Sequence, residues 1–160
     1  MFLKYVVCFF ISMVPLIELR GAIPYAFNPF FLGDPLPVLP AYAVCILGNM
    51  LPVPVIYFFA RKVLEWGKDK KVIGKFFTFC LEKGEKGGKK LQEKAGRGLF
   101  VALLLFVGIP LPGTGAWTGT LAASILNMKF RESVIAVMLG VILAGIIMGL
   151  LSAGLFGAIT

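Results

Sequence analysis

Two of the four long apolar stretches in this chain are broken near the depth where a helix reaches the middle of a membrane. The first reads Val14-Pro15-Leu16-Ile17-Glu18-Leu19-Arg20-Gly21-Ala22-Ile23-Pro24. The second reads Ile109-Pro110-Leu111-Pro112-Gly113-Thr114-Gly115-Ala116-Trp117-Thr118-Gly119. Proline removes a backbone donor and clashes with the preceding helical turn. Glycine loosens what is left. From Leu99 to Ile109 a helix rises about 16 Å, roughly half of the ~30 Å hydrocarbon core. Pro110 therefore falls near the midplane, and we expect the chain to turn back there as a re-entrant hairpin. Non-helical backbone survives at that depth only when protein covers it or water reaches it. Interrupted segments in matching positions of two halves are the usual mark of a transport site.

The halves match in order. Pro15-Leu16 leads to Gly21-Ala22, and Pro110-Leu111 leads to Gly115-Ala116. Each broken segment precedes an intact apolar span carrying Leu-Gly, at Leu47-Gly48 and at Leu139-Gly140. The expected fold is an all-α integral membrane protein of two inverted repeats. Each repeat is a broken, re-entrant hairpin followed by a transmembrane helix. We place the first repeat at 1–60, a basic cytoplasmic loop at 61–97 and the second repeat at 98–160, in one membrane domain. The intact spans are expected over Leu36 to Ala60 and Ser133 to Ile159.

Composition agrees with that class. The chain is 59% hydrophobic and 15% charged, with mean hydropathy +0.92; soluble domains are about half apolar and about a quarter charged. Histidine is absent, which removes the usual general base, most zinc and haem sites and any Ser-His-Asp triad. Cys8, Cys45 and Cys80 show no CxxC spacing and read as small apolar residues. No enzyme activity, cofactor or metal is expected. The apolar N-terminus resembles a signal peptide, but Glu18-Leu19-Arg20 follows where a small-x-small cleavage site would stand, so we read it as retained.

The net charge of +8 is unevenly placed: residues 61–97 hold 12 of the 16 Lys+Arg and 5 of the 8 Asp+Glu. Positive loops stay cytoplasmic, which puts this segment inside. Within it Ile73, Phe76, Phe77, Cys80 and Leu81 follow helical spacing, with Lys71, Lys75 and Lys83 around them. We expect an amphipathic helix lying on the inner surface, drawn to anionic lipid. A flexible hinge is expected at Gly84-Glu85-Lys86-Gly87-Gly88-Lys89. Nucleic acid is not an expected partner.

The few remaining charges are the informative ones. A charge at mid-bilayer costs roughly 2.5–3.5 kcal/mol on insertion scales, so such residues face a cavity or a partner. In an extended tip Glu18 and Arg20 would point to one side and address one cavity, or each other. Arg20 would hold an anionic group and Glu18 would carry a proton. Along one straight helix the same pair would instead reach the membrane interface as an ordinary ion pair. In the second tip Thr114, Thr118 and the backbone at Gly113 and Gly115 offer donors and acceptors. A half-helix starting near Gly115 would aim its first amides at an anion. We place the substrate or ion site at Glu18, Arg20, Gly21, Pro110, Gly113, Thr114, Gly115, Thr118 and the intramembrane Asn49. Trp117 reads equally as an interfacial anchor or a cavity wall. Gly145, Gly149, Ala153 and Gly157 form a stripe of small residues that suits close helix packing, within the chain or across a homodimer.

The two proline–glycine motifs, the length and the basic loop together resemble the prokaryotic small multidrug export proteins. The resemblance implies a multi-pass inner-membrane protein that exports small molecules. The architecture is also similar to that expected of the DedA (VTT-domain) membrane proteins, which implies paired re-entrant loops and lipid-carrier flipping; Thr114 stands where that group carries a second tip arginine. The leading expectation is a proton-coupled transporter of small molecules, working between the two tips. The alternatives are a DedA-like lipid flippase or scramblase, and a non-transporting scaffold or assembly factor. The expected partners are membrane lipids and a small-molecule or lipid substrate. If both broken segments turn back, both termini lie outside. A reporter fused after Thr160 should then be active only outside the cell, and activity in the cytoplasm would rule the hairpins out.

Overall fold

A computed structural model describes residues 2–72 and 97–157, with 74, 75, 78, 79, 82, 86 and 93 between them. The described residues form α-helices and no sheet. The first half holds α1 (Phe2–Met13), α2 (Glu18–Phe27), the short α3 (Pro29–Leu32), α4 (Val38–Met50) and α5 (Pro52–Gly67). The second half holds α6 (Gly98–Gly108), α7 (Ala116–Ile125) and α8 (Phe130–Gly157).

Both expected breaks are present. Ile109 stands just before Pro110, a position that disfavours helix, and is extended at φ −81°, ψ 119°. In the first break Leu16 takes φ +73° and Glu18 φ +51°. The first tip is therefore not extended, as we had expected. It is a tight turn, closed by a bond from the Glu18 amide to Val14 O at 2.9 Å. Leu51 keeps helical angles between α4 and α5, so Val38–Gly67 runs as one rod of 30 residues. It and α8 are long and apolar enough to cross a membrane. The rod passes Ala60, so residues 61–67 of the expected loop are helix. Ile73, Phe76, Phe77, Cys80 and Leu81 lie outside the described residues, as does the expected hinge apart from Lys86.

The packing is crossed. α1 lies on α4 and α6 on α8, within their own halves. The post-tip helices cross over: α2 packs on α8, and α7 packs on α5. Helix α2 buries Leu19, Ala22, Ile23 and Ala26, a stripe of helical period. Helix α7 buries Ala116, Gly119, Thr120, Ala123 and Ser124, a small-residue face that lets α5 approach. Side-chain to backbone bonds tie these contacts where no water competes. Ser124 Oγ donates to Tyr57 O at 3.0 Å, the Tyr57 hydroxyl donates to Met128 O, and Ser12 Oγ donates to Cys45 O at 2.5 Å.

The two Leu-Gly sites do the same work in each half. A Cβ on Gly48 would collide with the backbone oxygen of Phe9 on α1. A Cβ on Gly140 would collide with the backbone oxygen of Leu104 on α6. Phe9 precedes Pro15 by the same interval as Leu104 precedes Pro110. Each glycine therefore lets the pre-tip helix lie backbone-close against its own span. Gly48→Leu and Gly140→Leu should each cost about 1–3 kcal/mol or more by overpacking, measured as loss of unfolding stability in detergent. Gly154→Ala, with open space at its Cβ, should stay within about 0.5 kcal/mol of the parent.

Candidate functional site: the interlocked tips

The two breaks meet. Helix α7 begins with Gly115 at its N-cap, and its first amides have no partner within the helix. They take the carboxylate of Glu18: Ala116 N–H donates to Oε2 at 3.2 Å and Trp117 N–H to Oε1 at 3.1 Å. These pairs are 98 and 99 residues apart in sequence. Both the bonds and the positive end of α7 favour a negative charge there. Glu18 is 4% exposed.

Arg20 serves the opposite terminus. Helix α6 ends at Gly108, leaving carbonyls without intrahelical donors. The guanidinium donates from Nη2 to Val107 O at 3.2 Å and Ile109 O at 3.3 Å. It also donates from Nη1 to Leu111 O and from Nη2 to Thr114 Oγ1 at 2.7 Å. Thr114 in turn lies 2.9 Å from Ile109 O and 2.8 Å from Leu111 O, to one of which its hydroxyl donates. A planar, forked cation suits this ring of neutral oxygens better than an ammonium would. The third link is Trp117, whose Nε1–H donates to Met13 O at the end of α1, 3.3 Å away.

Glu18 and Arg20 are not an ion pair; within 4 Å, among the described residues, the ion pairs are Arg61–Glu65 and Lys129–Glu132. The two charges are matched by opposite helix ends. Two residues apart on a regular helix they would diverge. The left-handed φ of Glu18 breaks that spacing, and both side chains reach the second tip.

Gly113 and Gly115 take φ +83° and +137°, values that L side chains rarely adopt. At Gly113 a Cβ would meet open space, whereas at Gly115 it would overlap the Glu18 carboxylate. Gly115 is thus where backbone must yield to Glu18.

Between the tips lies a cavity of about 350 Å³. Of the expected site residues, Glu18, Arg20, Pro110, Gly113, Thr114 and Thr118 line it. Trp117 is a wall of it, together with Leu121 and Met148. Gly115 sits behind the wall against Glu18. Gly21 is not on the wall; its face packs on Ile17. Asn49 is elsewhere, 2% exposed on α4, its Oδ1 without a hydrogen-bond partner among the described residues.

In the small-residue stripe, Gly145 and Gly149 receive the Tyr42 ring rather than a helix backbone, and the Tyr42 hydroxyl donates to Gly145 O at 2.9 Å. Ala153 is exposed, and Gly157 closes α8. Tyr42 carried no signal in the sequence, because nothing in its spacing points at α8. Among the described residues no three His, Cys, Asp or Glu gather as metal ligands.

A family model described as "Putative small multi-drug export protein" matches residues 18–147. The chain belongs to that family. The match begins at Glu18 and runs through the second tip and most of α8, so Glu18, Arg20 and their partners on the second tip lie within it, while Met13 and the Pro15-Leu16 turn precede it. No curated protein and no solved structure matches the chain.

Asparagine tolerates left-handed backbone better than other residues with a Cβ. Gly113→Asn should therefore leave thermal stability in detergent near that of the parent. Gly115→Asn should lower it by several degrees, because the added Cβ displaces a buried carboxylate from its amides.

Proposed function

We propose that this export-family chain is a membrane transporter of small molecules, and that its substrate site is the cavity between the interlocked tips. One observation carries the reading: a buried carboxylate is the anion that closes α7. Ionised Glu18 accepts two amide hydrogen bonds and matches a positive helix end. Once protonated it carries no charge, and its grip on those amides weakens. Proton uptake from one side would then free the second tip, and proton loss would draw it back. Such a device couples a proton to the opening of a site, as alternating access requires.

The finer architecture belongs to the same proposal. The chain is two inverted repeats, each a re-entrant hairpin and a span, with residues 61–97 on the cytoplasmic side of a prokaryotic inner membrane. The matched glycine contacts at Gly48 and Gly140 support the repeat. So does the crossed packing of α2 on α8 and α7 on α5. Short helices that end near mid-membrane and cap one another at that depth support hairpins over full crossings.

Reconstitution in liposomes loaded with a panel of fluorescent organic solutes tests the proposal. An imposed pH gradient should drive flux in the parent chain. Glu18→Gln keeps the shape but lacks the titrating group, and should lose the response to the gradient. Equal gradient-driven flux in parent and variant would remove the proton role, and no flux above protein-free vesicles would remove transport.

A further inference from the structure

Trp117 and Leu121 wall the cavity between the tips. Both residues also line a second recess of about 300 Å³, between α5 and α7, together with Ile56, Phe59, Ala60 and Leu64. The two compartments differ in chemistry. The first carries Glu18, Arg20 and two threonine hydroxyls, whereas every residue lining the second is apolar. Each is near the lower bound of the ~300–1,000 Å³ range of small-molecule sites. They lie on either side of one wall, so a ligand reaching past Trp117 would meet polar groups at one end and an apolar surface at the other.

The groove also faces the right medium. Phe59 on α5 and Leu121 on α7 are exposed on helices of a chain read as membrane-embedded, so the recess opens sideways toward acyl chains. The accessible charge at the polar end is that of Arg20. Glu18 is covered by the first turn of α7, while Arg20 is partly exposed and has only neutral oxygens as partners. Arg20 feels the Glu18 charge through space, but its hydrogen bonds all go to neutral oxygens, and a charge-assisted bond to an anion is stronger than these.

We infer that the site takes an anionic amphiphile. Its head group lies in the cavity at Arg20, Thr114 and Thr118, and its alkyl chain runs past Trp117 into the groove between α5 and α7. The inference rests on the tip cavity being the substrate site, and it names the class of substrate. It also assigns Ala60, 9% exposed at the groove, to the control of chain binding.

Trp117 is the reporter. In a Trp66→Phe chain it is the only tryptophan left. This protein, reconstituted in lipid nanodiscs, is titrated with dodecanoate carrying bromine on its chain, which quenches indole on contact. The control is a brominated dodecyltrimethylammonium of the same length. Quenching by the carboxylate should saturate with its mole fraction in the bilayer. Unlabelled dodecanoate should compete and butyrate should not. The cation should bind at least about tenfold more weakly. Ala60→Phe fills the groove beside Trp117 and should abolish saturable quenching; Val63→Phe, at a half-buried position of the same groove, should weaken it while thermal stability stays near that of the parent.

Quenching that rises in proportion to either amphiphile and ignores Ala60→Phe would mean that Trp117 meets only bulk lipid. Competition by butyrate as strong as by dodecanoate would mean that the groove plays no part. Either result overturns the inference but leaves the transporter reading, which depends on flux of solutes and not on binding of a chain.

Discussion

A helix that stops inside a membrane leaves backbone groups with nothing to bond, because hydrocarbon offers neither donors nor acceptors. This chain breaks apolar helices in both halves and meets the demand of each break with groups from the other half. The first amides of α7 take the Glu18 carboxylate. The last carbonyls of α6 take the Arg20 guanidinium, and the end of α1 takes the Trp117 indole. Neither tip is satisfied by itself. The crossed packing of α2 on α8 and α7 on α5 is the scaffold that this exchange requires, because it carries each tip to the other.

The scaffold is alike in its two halves and the tips are not. Gly48 and Gly140 admit the pre-tip helices in the same manner. Both charges of the interlock, however, come from the first half, and the second supplies backbone and threonine. The asymmetry has a physical sense. A carboxylate and a guanidinium on one turn serve a helix N-terminus and a helix C-terminus at once, so a second charged tip would bring like charges together. One carboxylate takes the first amides of α7, and the partners of Arg20 are neutral oxygens.

Several features were legible from residues alone. Pro110, Pro112, Gly113 and Gly115 predicted where α6 ends and α7 begins, because proline and a positive φ are local constraints. The Leu-Gly pairs marked equivalent positions in the two halves, but not the backbone contacts that Gly48 and Gly140 make there. Glu18 and Arg20 stood out through the cost of charge in hydrocarbon. The shape of the first tip was not legible. An extended tip was one way to aim two residues at the same cavity, and the chain uses a left-handed turn at Leu16 and Glu18 instead. The end of the first span was also misplaced, because Arg61, Lys62 and Glu65 read as loop while α5 continues through them to Gly67. A charged, exposed helical turn differs little from a loop in composition.

The sequence by itself determined that this chain is helical, apolar enough for a membrane, and broken by proline and glycine at matching positions in its two halves. It also marked which few polar residues had no reason to be there other than a partner. Those conclusions rest on local sterics and on the cost of burying charge, both of which act within a few residues. Only the tertiary structure decided who the partners are. Glu18 meets Ala116 and Trp117 across 98 and 99 residues, and Arg20 meets the carbonyls of the second break across similar distances. Such pairings depend on how helices cross in space. The spacing of residues along one chain does not encode that crossing in any form that can be read without the fold.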